Sequence, residues 1–250
     1  MKLKYCVFIS FLLSVFYCNL SAQPEKILEV NFVLGYNIGA TAPIPLPAEV
    51  RKINSYNPKF NPQAGINFNY SAHEKWGVGA GVAIDWKGMR VKDEVKYMHT
   101  SVVLAEGGDK LTGYFVGKNM TNVNTTYLTV PIYGTYRVND KWRLKLGIYA
   151  AKTLSSTFDG NVNDGYIRID TPTGQKQEID GEGANFDFSD DVRDYDFGLL
   201  GGGEFKLTER LGIYGNLSWG LIPYFYKGSN PIEFTMNNIY GTIGISYRLR

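Results

Sequence analysis

Residues 239–250 read Ile-Tyr-Gly-Thr-Ile-Gly-Ile-Ser-Tyr-Arg-Leu-Arg, and the character of the side chains alternates along this stretch. The odd positions are apolar or glycine, whereas the even positions include Thr242, Ser246 and Arg248. Successive side chains of a β-strand point to opposite faces, so a period of two predicts a strand with one apolar and one polar face. We therefore expect the chain to end in such a strand.

The same alternation recurs along the chain and predicts a protein made of β-strands. It is found at residues 28–38, 64–71, 76–87, 128–137, 142–149, 195–205 and 211–219. With the last segment this makes eight strands, most of them long enough to cross a bilayer at a tilt. The composition agrees, because 28 glycines and 18 tyrosines favour strands and tight turns over helices.

The connections between these strands differ in length in a regular way. The short ones are residues 72–75, 139–141 and 208–210, and the long ones are about 40–60, 88–126, 155–191 and 222–235. Short turns and long loops alternate strictly, as in an up-and-down transmembrane barrel with periplasmic turns and extracellular loops. The fold class predicted is all-β, an eight-stranded antiparallel transmembrane β-barrel in the outer membrane.

A soluble eight-stranded barrel also has alternating strands, so the two faces must decide between the alternatives. Aromatic residues mark both ends of the apolar face, as interfacial girdles do: Tyr70, Trp76, Tyr136, Trp142, Phe205 and Tyr247 at the short-turn end, and Tyr36, Trp86 and Trp219 near the long loops. Charges share the other face: Glu29, Asp85, Lys87, Arg137, Arg143, Lys145, Asp196, Glu204, Lys206 and Arg248. This division favours an apolar face in lipid and a charged face in the lumen.

Residues 1–22 have the pattern of a secretory signal peptide, which leaves residues 23–250 as the barrel domain. Lys2 and Lys4 precede a short apolar run, and small residues precede Gln23. Cys6 and Cys18, the two cysteines of the chain, lie within this segment, so no disulfide or thiol chemistry is expected in the barrel. Removing the two lysines leaves 24 basic residues against 24 acidic ones, which gives no sign of a nucleic-acid partner.

Two short stretches carry a resemblance to a known family. Residues 21–23 (Ser-Ala-Gln) and residues 127–132 (Tyr-Leu-Thr-Val-Pro-Ile) resemble the PorT-like outer-membrane β-barrel family of Bacteroidota. The last four residues resemble the final strand that the barrel-assembly machinery reads, although Arg250 stands where a terminal Phe is usual. The resemblance implies an outer-membrane barrel, and some members of this family serve a protein-secretion apparatus while many are labelled porins.

The lumen of an eight-stranded barrel is just wide enough for side chains to fill. Its predicted acids, Glu29, Asp85, Asp196 and Glu204, can pair with the bases on the same face, and an isolated buried charge would be costly. We therefore expect a lumen plugged by a salt-bridge network. An open selective pore and a proton or substrate path are the alternatives.

The sequence predicts no catalytic, cofactor-binding or metal-binding residues. His73 lies in a short turn and His99 in a long loop, and neither is next to a nucleophile. Residues 201–203 are three glycines inside a predicted strand, where a bend or a close backbone approach is expected and not a phosphate loop.

The long loop 155–191 is strongly acidic, with only Arg168 and Lys176 as basic residues. Residues 159–165 (Asp-Gly-Asn-Val-Asn-Asp-Gly) resemble a calcium loop imperfectly, so both a solvated acidic loop and divalent bridging are considered. Two hairpins above the barrel are predicted. One comprises residues 166–170 with the turn 171–174, and the other comprises residues 95–104 with residues 110–116.

These features predict an outer-membrane barrel without catalytic activity and with a structural or surface-interaction role through its long loops. A small-solute channel, a PorT-like secretion component and a membrane enzyme are the alternatives. The partners expected are outer-membrane lipids and lipopolysaccharide, the barrel-assembly machinery during biogenesis, and a protein at the extracellular loops.

Overall fold

The computed structural model describes residues 28–104, 108, 110–179, 183–226 and 234–249. Within these residues the elements are β1 (Leu28–Pro43), β2 (Val50–Pro58), β3 (Pro62–Ser71), β4 (Trp76–Leu104), β5 (Lys110–Arg137), β6 (Trp142–Ile169), β7 (Lys176–Ile179), β8 (Ala184–Asp187), a 3-10 turn (Ser189–Asp191), β9 (Tyr195–Lys206), β10 (Leu211–Gly220) and β11 (Met236–Arg248). In this part of the chain no helix is long and apolar enough to span a membrane. The predicted signal peptide, residues 1–22, lies outside the described residues.

Eight of the strands form a closed antiparallel ring, which confirms the predicted fold class. The order is β1, β3, β4, β5, β6, β9, β10 and β11, after which β11 pairs with β1. The closing seam runs in continuous register from Asn31 opposite Arg248 to Pro43 opposite Met236. Ring neighbours follow one another along the chain once β2, β7 and β8 are set aside, so the topology is up-and-down.

The three predicted short turns are confirmed, and local polar side chains shape two of them. Asn139 Oδ1 accepts hydrogen bonds from the backbone N–H groups of Lys141 (2.9 Å) and Trp142 (2.8 Å). Thr208 Oγ1 accepts one from the N–H of Leu211 at 3.0 Å. Such side-chain bonds to backbone two or three residues ahead are why Asn and Thr favour tight turns.

The two faces of the ring strands have opposite character, as the alternation predicts. Leu34, Val82, Ile132, Leu146 and Ile243 are exposed on the outer surface. The buried polar side chains of the ring strands lie inside it, among them Glu29, Asn37, Asp85, Lys87, Lys145 and Asp196. Girdle residues pair at the short-turn end, where the ring centroids of Trp76 and Tyr136 are 4.6 Å apart and those of Trp142 and Phe205 4.9 Å apart.

The predicted long loops are wrong in extent, because the strands continue through much of them. β4, β5 and β6 have 29, 28 and 28 residues, far more than the roughly 9–11 that cross a bilayer. β2, inside the predicted loop 40–60, pairs with β4 from Val50–Val95 to Pro58–Met89. The two predicted hairpins are confirmed in the described residues, since β4 pairs with β5 as far as Val103–Lys110 and β6 pairs with β7.

The strand extensions belong to a second hydrophobic core, which explains the wrong loop boundaries. Ile84 faces outward and Lys87 inward in the barrel part of β4. Beyond Lys87 the polarity of the two faces is reversed. The inward residues Met89 and Val95 are apolar and buried, whereas the outward residue Arg90 is charged and exposed. The period of two therefore persists, but the apolar residues move to the inner face. We use the name distal domain for the part of the chain that forms this core. It comprises residues 88–104, 110–126 and 155–169, with β2, β7 and β8 and the neighbouring residues 40–49, 183–192, 221–226 and 234–236.

Candidate functional site

The lumen at the short-turn end is occupied by a network of charged side chains. Glu29 accepts a charge-assisted hydrogen bond from Arg143 at 2.6 Å and another from Arg248 at 2.5 Å. Glu204 is 3.2 Å from Lys145 Nζ and 3.8 Å from the Arg143 guanidinium. Two acids with three bases, all at least mostly buried, make the paired arrangement that a low-dielectric lumen requires. This part of the predicted salt-bridge network is present in the structure.

Closer to the distal domain, the lumen is filled by one lysine among tyrosine rings. Lys87 Nζ lies 5.4, 5.1 and 5.4 Å from the ring centroids of Tyr127, Tyr149 and Tyr240. At such distances a cation is attracted by the faces of aromatic rings. Tyr149 donates a 2.8 Å hydrogen bond to Asp196. The alternation along β4 predicts Lys87 in the lumen but gives no indication of these aromatic partners.

The two remaining lumen acids are satisfied mainly by neutral side chains and not by the predicted ion pairs. Asp85 Oδ1 accepts hydrogen bonds from Asn37 (3.1 Å) and Gln63 (2.6 Å). Asp196 Oδ2 accepts a second bond from Asn238 at 3.0 Å. The other two predicted lumen bases, Arg137 and Lys206, line the mouth of the lumen at the short-turn end.

Glycines on the inner face make room for the lumen tyrosines. A Cβ atom on Gly79 would stand 2.3 Å from Tyr133 Cε2, and one on Gly244 would stand 2.7 Å from Tyr214 Cε1. The excess of glycine and tyrosine in the sequence is the signal that could have predicted this packing. The void that remains among these side chains is about 50 Å³, enough for little more than water. The lumen is therefore closed by its own side chains.

The distal domain has an aromatic core of its own. Phe158 is only 1% exposed, and its ring contacts Phe186, Phe188 and Phe225 at centroid distances of 6.4, 6.2 and 4.9 Å. β8 holds the domain together, since it pairs with β6 at residues 159–162 and with the end of β4 at residues 103–104. These buried apolar side chains lie on the inner side of the strand extensions and pack together as one hydrophobic cluster.

An apolar cavity of about 240 Å³ lies within the distal domain. Its lining includes the buried residues Met89, Met98 and Phe158, and also Leu46 and Ile53, which are 53% and 51% exposed. The residues with polar side chains among those described in its lining are Thr41, Tyr56, Asp93, Thr100, Asn119 and Thr121. This cavity could not be predicted from local patterns, because its residues come from β1, β2, β4, β5, β6, β8, β11 and the loops between them.

The other residues singled out in the sequence are not brought together into one site. His73 lies in the turn between β3 and β4, where its backbone N–H donates a 2.9 Å hydrogen bond to the backbone carbonyl of Trp76. His99 lies at the far end in β4, with its ring 5.1 Å from that of Tyr114. Gly201–Gly203 lie in β9, as predicted.

Residues 159–165 do not form the calcium-binding loop that their sequence resembles, because they lie in β6. Alternate side chains of a strand point to opposite faces, which prevents them from surrounding one ion. Asp159 accepts a hydrogen bond from Asn122, and Asp164 forms an exposed ion pair with Lys118. Among the residues that the structure describes, no three His, Cys, Asp or Glu side chains converge as metal ligands.

Comparison with known proteins finds one matching family model and several similar solved structures. A family model described as "Outer membrane protein beta-barrel domain" matches residues 21–226, whereas no curated protein matches the chain. Ail, the attachment invasion locus protein of Yersinia pestis, solved in complex with the heparin analogue sucrose octasulfate, is 12% identical with a TM-score of 0.39 over 90% of this chain and 100% of Ail. CarO2 of Acinetobacter baumannii is 10% identical with a TM-score of 0.38 over 90% and 100%. The outer membrane protease OmpT of Escherichia coli is 11% identical with a TM-score of 0.29 over 93% and 99%.

Proposed function

Because this chain belongs to the outer membrane protein β-barrel domain family, we propose that it is a non-catalytic and non-conducting barrel that presents its distal domain to a partner at the cell surface. The barrel holds the protein in the outer membrane. The distal domain stands on the side of the long connections, which is the extracellular side in barrels of this kind. The closed lumen is the observation that carries the proposal.

The lumen is blocked at two levels, which argues against the alternative of a small-solute channel. Arg143 and Glu29 fill the short-turn end, and Lys87 with its tyrosines fills the other end. A selective pore requires a continuous aqueous path with sites that ions can enter and leave. The histidines give no support to an enzyme either, since His73 and His99 lie at opposite ends of the molecule.

The distal domain offers a strand edge that suits a protein partner. β2 lies at the end of the sheet order and, among the described strands, pairs with β4 alone. Its exposed residues include Arg51 and Lys52. An extended segment of a partner can add to such an edge through main-chain hydrogen bonds. The resemblance of residues 127–132 to the PorT-like family of Bacteroidota supports a finer version, in which the partner is part of a secretion apparatus.

Planar-bilayer recording on the purified protein tests the closed lumen, together with a heat-modifiability gel that reports the folded barrel. We expect a heat-modifiable band and no steady conductance. Because a silent bilayer could also mean failed insertion, a control variant removes side chains at both levels of the block and should conduct. It combines Lys87→Ala and Tyr149→Ala with Glu29→Ala and Arg143→Ala. Steady, charge-selective conductance by the unaltered protein would overturn the proposal and make it a channel. Loss of secreted proteins after deletion of the gene would support the secretion version.

A further inference from the structure

The wall of the distal domain has a gap between β1 and β2. One edge of β4 pairs with β5 along residues 76–103, so β3 and β2 both lie on the other edge, β3 up to Asp85 and β2 from Met89 onward. β2 therefore lies between β4 and β1, in line with β3. β1 pairs with β3 only as far as Tyr36, opposite Pro62, and the described residues show no main-chain pairing between β1 and β2.

This gap is bounded at both ends and is crossed by a tyrosine side chain. At its lower end the N–H of Asn37 donates a 2.8 Å hydrogen bond to the carbonyl of Asn61. At its upper end residues 44–49 connect β1 to β2. Between these ends the hydroxyl of Tyr56 donates a 2.5 Å hydrogen bond to the carbonyl of Gly39. A side chain thus makes the contact where neighbouring strands normally exchange main-chain hydrogen bonds.

The apolar cavity of about 240 Å³ lies against this gap. Ala40 and Ala42 of β1 line it on one side, and Val50 and Ile53 of β2 line it on the other. Ile53 is 51% exposed although it belongs to the lining. The lining of the cavity therefore reaches the protein surface at the gap.

The gap begins at the level of the aromatic girdle. Tyr36, the last residue of β1 that pairs with β3, is a girdle residue, and its ring lies 6.2 Å from that of Phe60, which is 79% exposed. A strand rises about 3.3 Å per residue, so Ala40 lies roughly 13 Å farther along β1. Aromatic girdles mark the boundary between membrane and water. The gap therefore opens close to the level at which amphiphiles collect.

The interior of the cavity offers contacts with hydrocarbon and few hydrogen bonds. Thr41 Oγ1 donates to Asn238 Oδ1 at 2.7 Å, and Thr121 Oγ1 accepts a 3.1 Å bond from Asn119 Nδ2. The Oδ1 atoms of Asp93 and Asn119 are inaccessible to solvent and so do not open into the cavity. Such a space suits an apolar group without donors or acceptors.

We propose that this cavity binds the hydrocarbon chain of an amphiphile, which enters between β1 and β2 and leaves its polar head group at the gap. The size is sufficient, since an apolar cavity of about 150 Å³ in another protein already binds benzene. This site goes beyond the proposed function, because it requires neither a protein partner nor a closed lumen.

Methyl NMR of the methionines tests the proposal, because Met89, Met98 and Met236 line the cavity. Met120, opposite the exposed Lys92 of β4, is not among the described lining residues and serves as the internal control. The purified full-length protein with methyl-labelled methionine and isoleucine is placed in nanodiscs of chain-deuterated phospholipid, and 1-octanol is added. Nuclear Overhauser cross-peaks between octanol and the protein methyl groups report direct contact, so octanol that merely dissolves in the lipid does not give them.

Two variants and a second probe serve as controls. Val91→Trp places an indole in the cavity. Val103→Trp places the same group on the same strand at a side chain that is 41% exposed. 1,8-Octanediol has the length of octanol but would have to bury a hydroxyl group among apolar side chains. The heat-modifiability gel establishes that both variants are folded.

We expect octanol to give cross-peaks to the methyl groups of Met89, Met98 and Met236 and none to Met120. Val91→Trp, or 1,8-octanediol in place of octanol, should weaken these cross-peaks at least tenfold, whereas Val103→Trp should leave them unchanged. The terminal methyl of octanol should contact Met98, and its C1 methylene should contact Ile53 at the gap.

The source of the chain is distinguished in nanodiscs of protonated phospholipid without octanol. Cross-peaks from the lipid chains to Met98 would support a membrane lipid as the ligand, and cross-peaks from octanol alone would support a free amphiphile. Absence of cross-peaks from both sources, or equal cross-peaks in Val91→Trp, would overturn the proposal. Contact of the C1 methylene with Met98 and of the terminal methyl with Ile53 would overturn entry through the gap.

Discussion

Gly79 shows how a single hydrogen atom in place of a side chain determines the packing of the lumen. It faces inward from β4, next to the ring of Tyr133 on β5. Gly79→Ala would put a methyl group 2.3 Å from Tyr133 Cε2 and 2.7 Å from Asn69 Oδ1. Overpacking of this kind typically costs about 1–3 kcal/mol, so we expect the variant to unfold at lower urea concentration than the unaltered protein. Urea titration in detergent, followed by tyrosine and tryptophan fluorescence, measures the change.

A matched control for this variant lies on the same strand pair. Gly134, opposite Val78, faces outward, and a Cβ there would have only the carbonyl oxygen of Leu146 near it, at 3.8 Å. We expect Gly134→Ala to change the free energy of unfolding by less than about 0.5 kcal/mol, or to raise it slightly through the lower entropy of the unfolded chain. Equal losses in the two variants would contradict the packing argument, because they would reflect strand propensity alone.

Asp93 makes the stability of the protein depend on pH. Burial raises the pKa of Asp93 from 3.8 to about 6, although the neighbouring Asn119 side chain acts to lower it. The folded state therefore binds a proton more tightly than the unfolded state. The stabilisation from the protonated carboxyl is complete below pH 3.8 and is lost as the pH rises through about 6.

Asp93→Asn should remove this dependence, because an amide has nothing to ionise. We expect the variant to be about 1–3 kcal/mol more stable than the unaltered protein at pH 8 and no more stable at pH 4. Urea titrations at the two pH values measure the difference. An equal gain at both would show that the charge on Asp93 is not the cause.

The elements show which features of the fold could be predicted from the sequence and which could not. The eight ring strands and the turn at Asn139 follow from local patterns of residues. The extension of β4 does not, because the inner face changes from Lys87 to Met89 while the outer face changes from apolar to Arg90. In a sequence, this reversal of the polar and apolar faces resembles the end of a membrane-spanning strand. It can be recognised as a continuing strand only when the second hydrophobic core is known. β2 could not be predicted either, since its side chains are largely exposed and it is held by main-chain pairing with β4.

The second core should be separable from the barrel by mutation at Phe158. Phe158→Ala removes a ring that three other phenylalanines contact, and such truncations typically cost about 3–5 kcal/mol. We expect trypsin to cleave the distal domain faster, at sites such as Arg90 and Lys118, while the barrel remains heat-modifiable. Leu154→Ala, on the same strand but 54% exposed, should be cleaved like the unaltered protein. Loss of the heat-modifiable band in the Phe158 variant would instead show that barrel and distal domain form a single cooperative unit.

The outer surface of the same strands contacts lipid along one part of their length and water along another. Where the outside of β4 meets lipid, polar residues are placed in the lumen, and where it meets water, apolar residues are placed in the distal core. The exchange after Lys87 therefore marks the level at which the chain leaves the membrane. Trp86, one position earlier on the outward face, is an aromatic residue at this level, as an interfacial girdle requires. A soluble barrel would have no reason to exchange its faces partway along a strand, because water would surround all of it.

This arrangement predicts the orientation of the protein in the cell. Cys6 and Cys18 are the two cysteines of the chain, and both lie within residues 1–22, the predicted signal peptide. If that segment is removed as predicted, a cysteine introduced into the barrel domain is labelled selectively. We introduce Thr173→Cys in the exposed turn between β6 and β7, and Asn139→Cys in the short turn between β5 and β6.

A membrane-impermeant maleimide added to intact cells should label Thr173→Cys and leave Asn139→Cys unlabelled, because short turns face the periplasm. Permeabilising the outer membrane should make Asn139→Cys reactive, which shows that its thiol is available. Labelling of Asn139→Cys alone in intact cells would mean that the barrel is inverted and that the distal domain faces the periplasm. The proposed presentation of the distal domain at the cell surface would then be wrong.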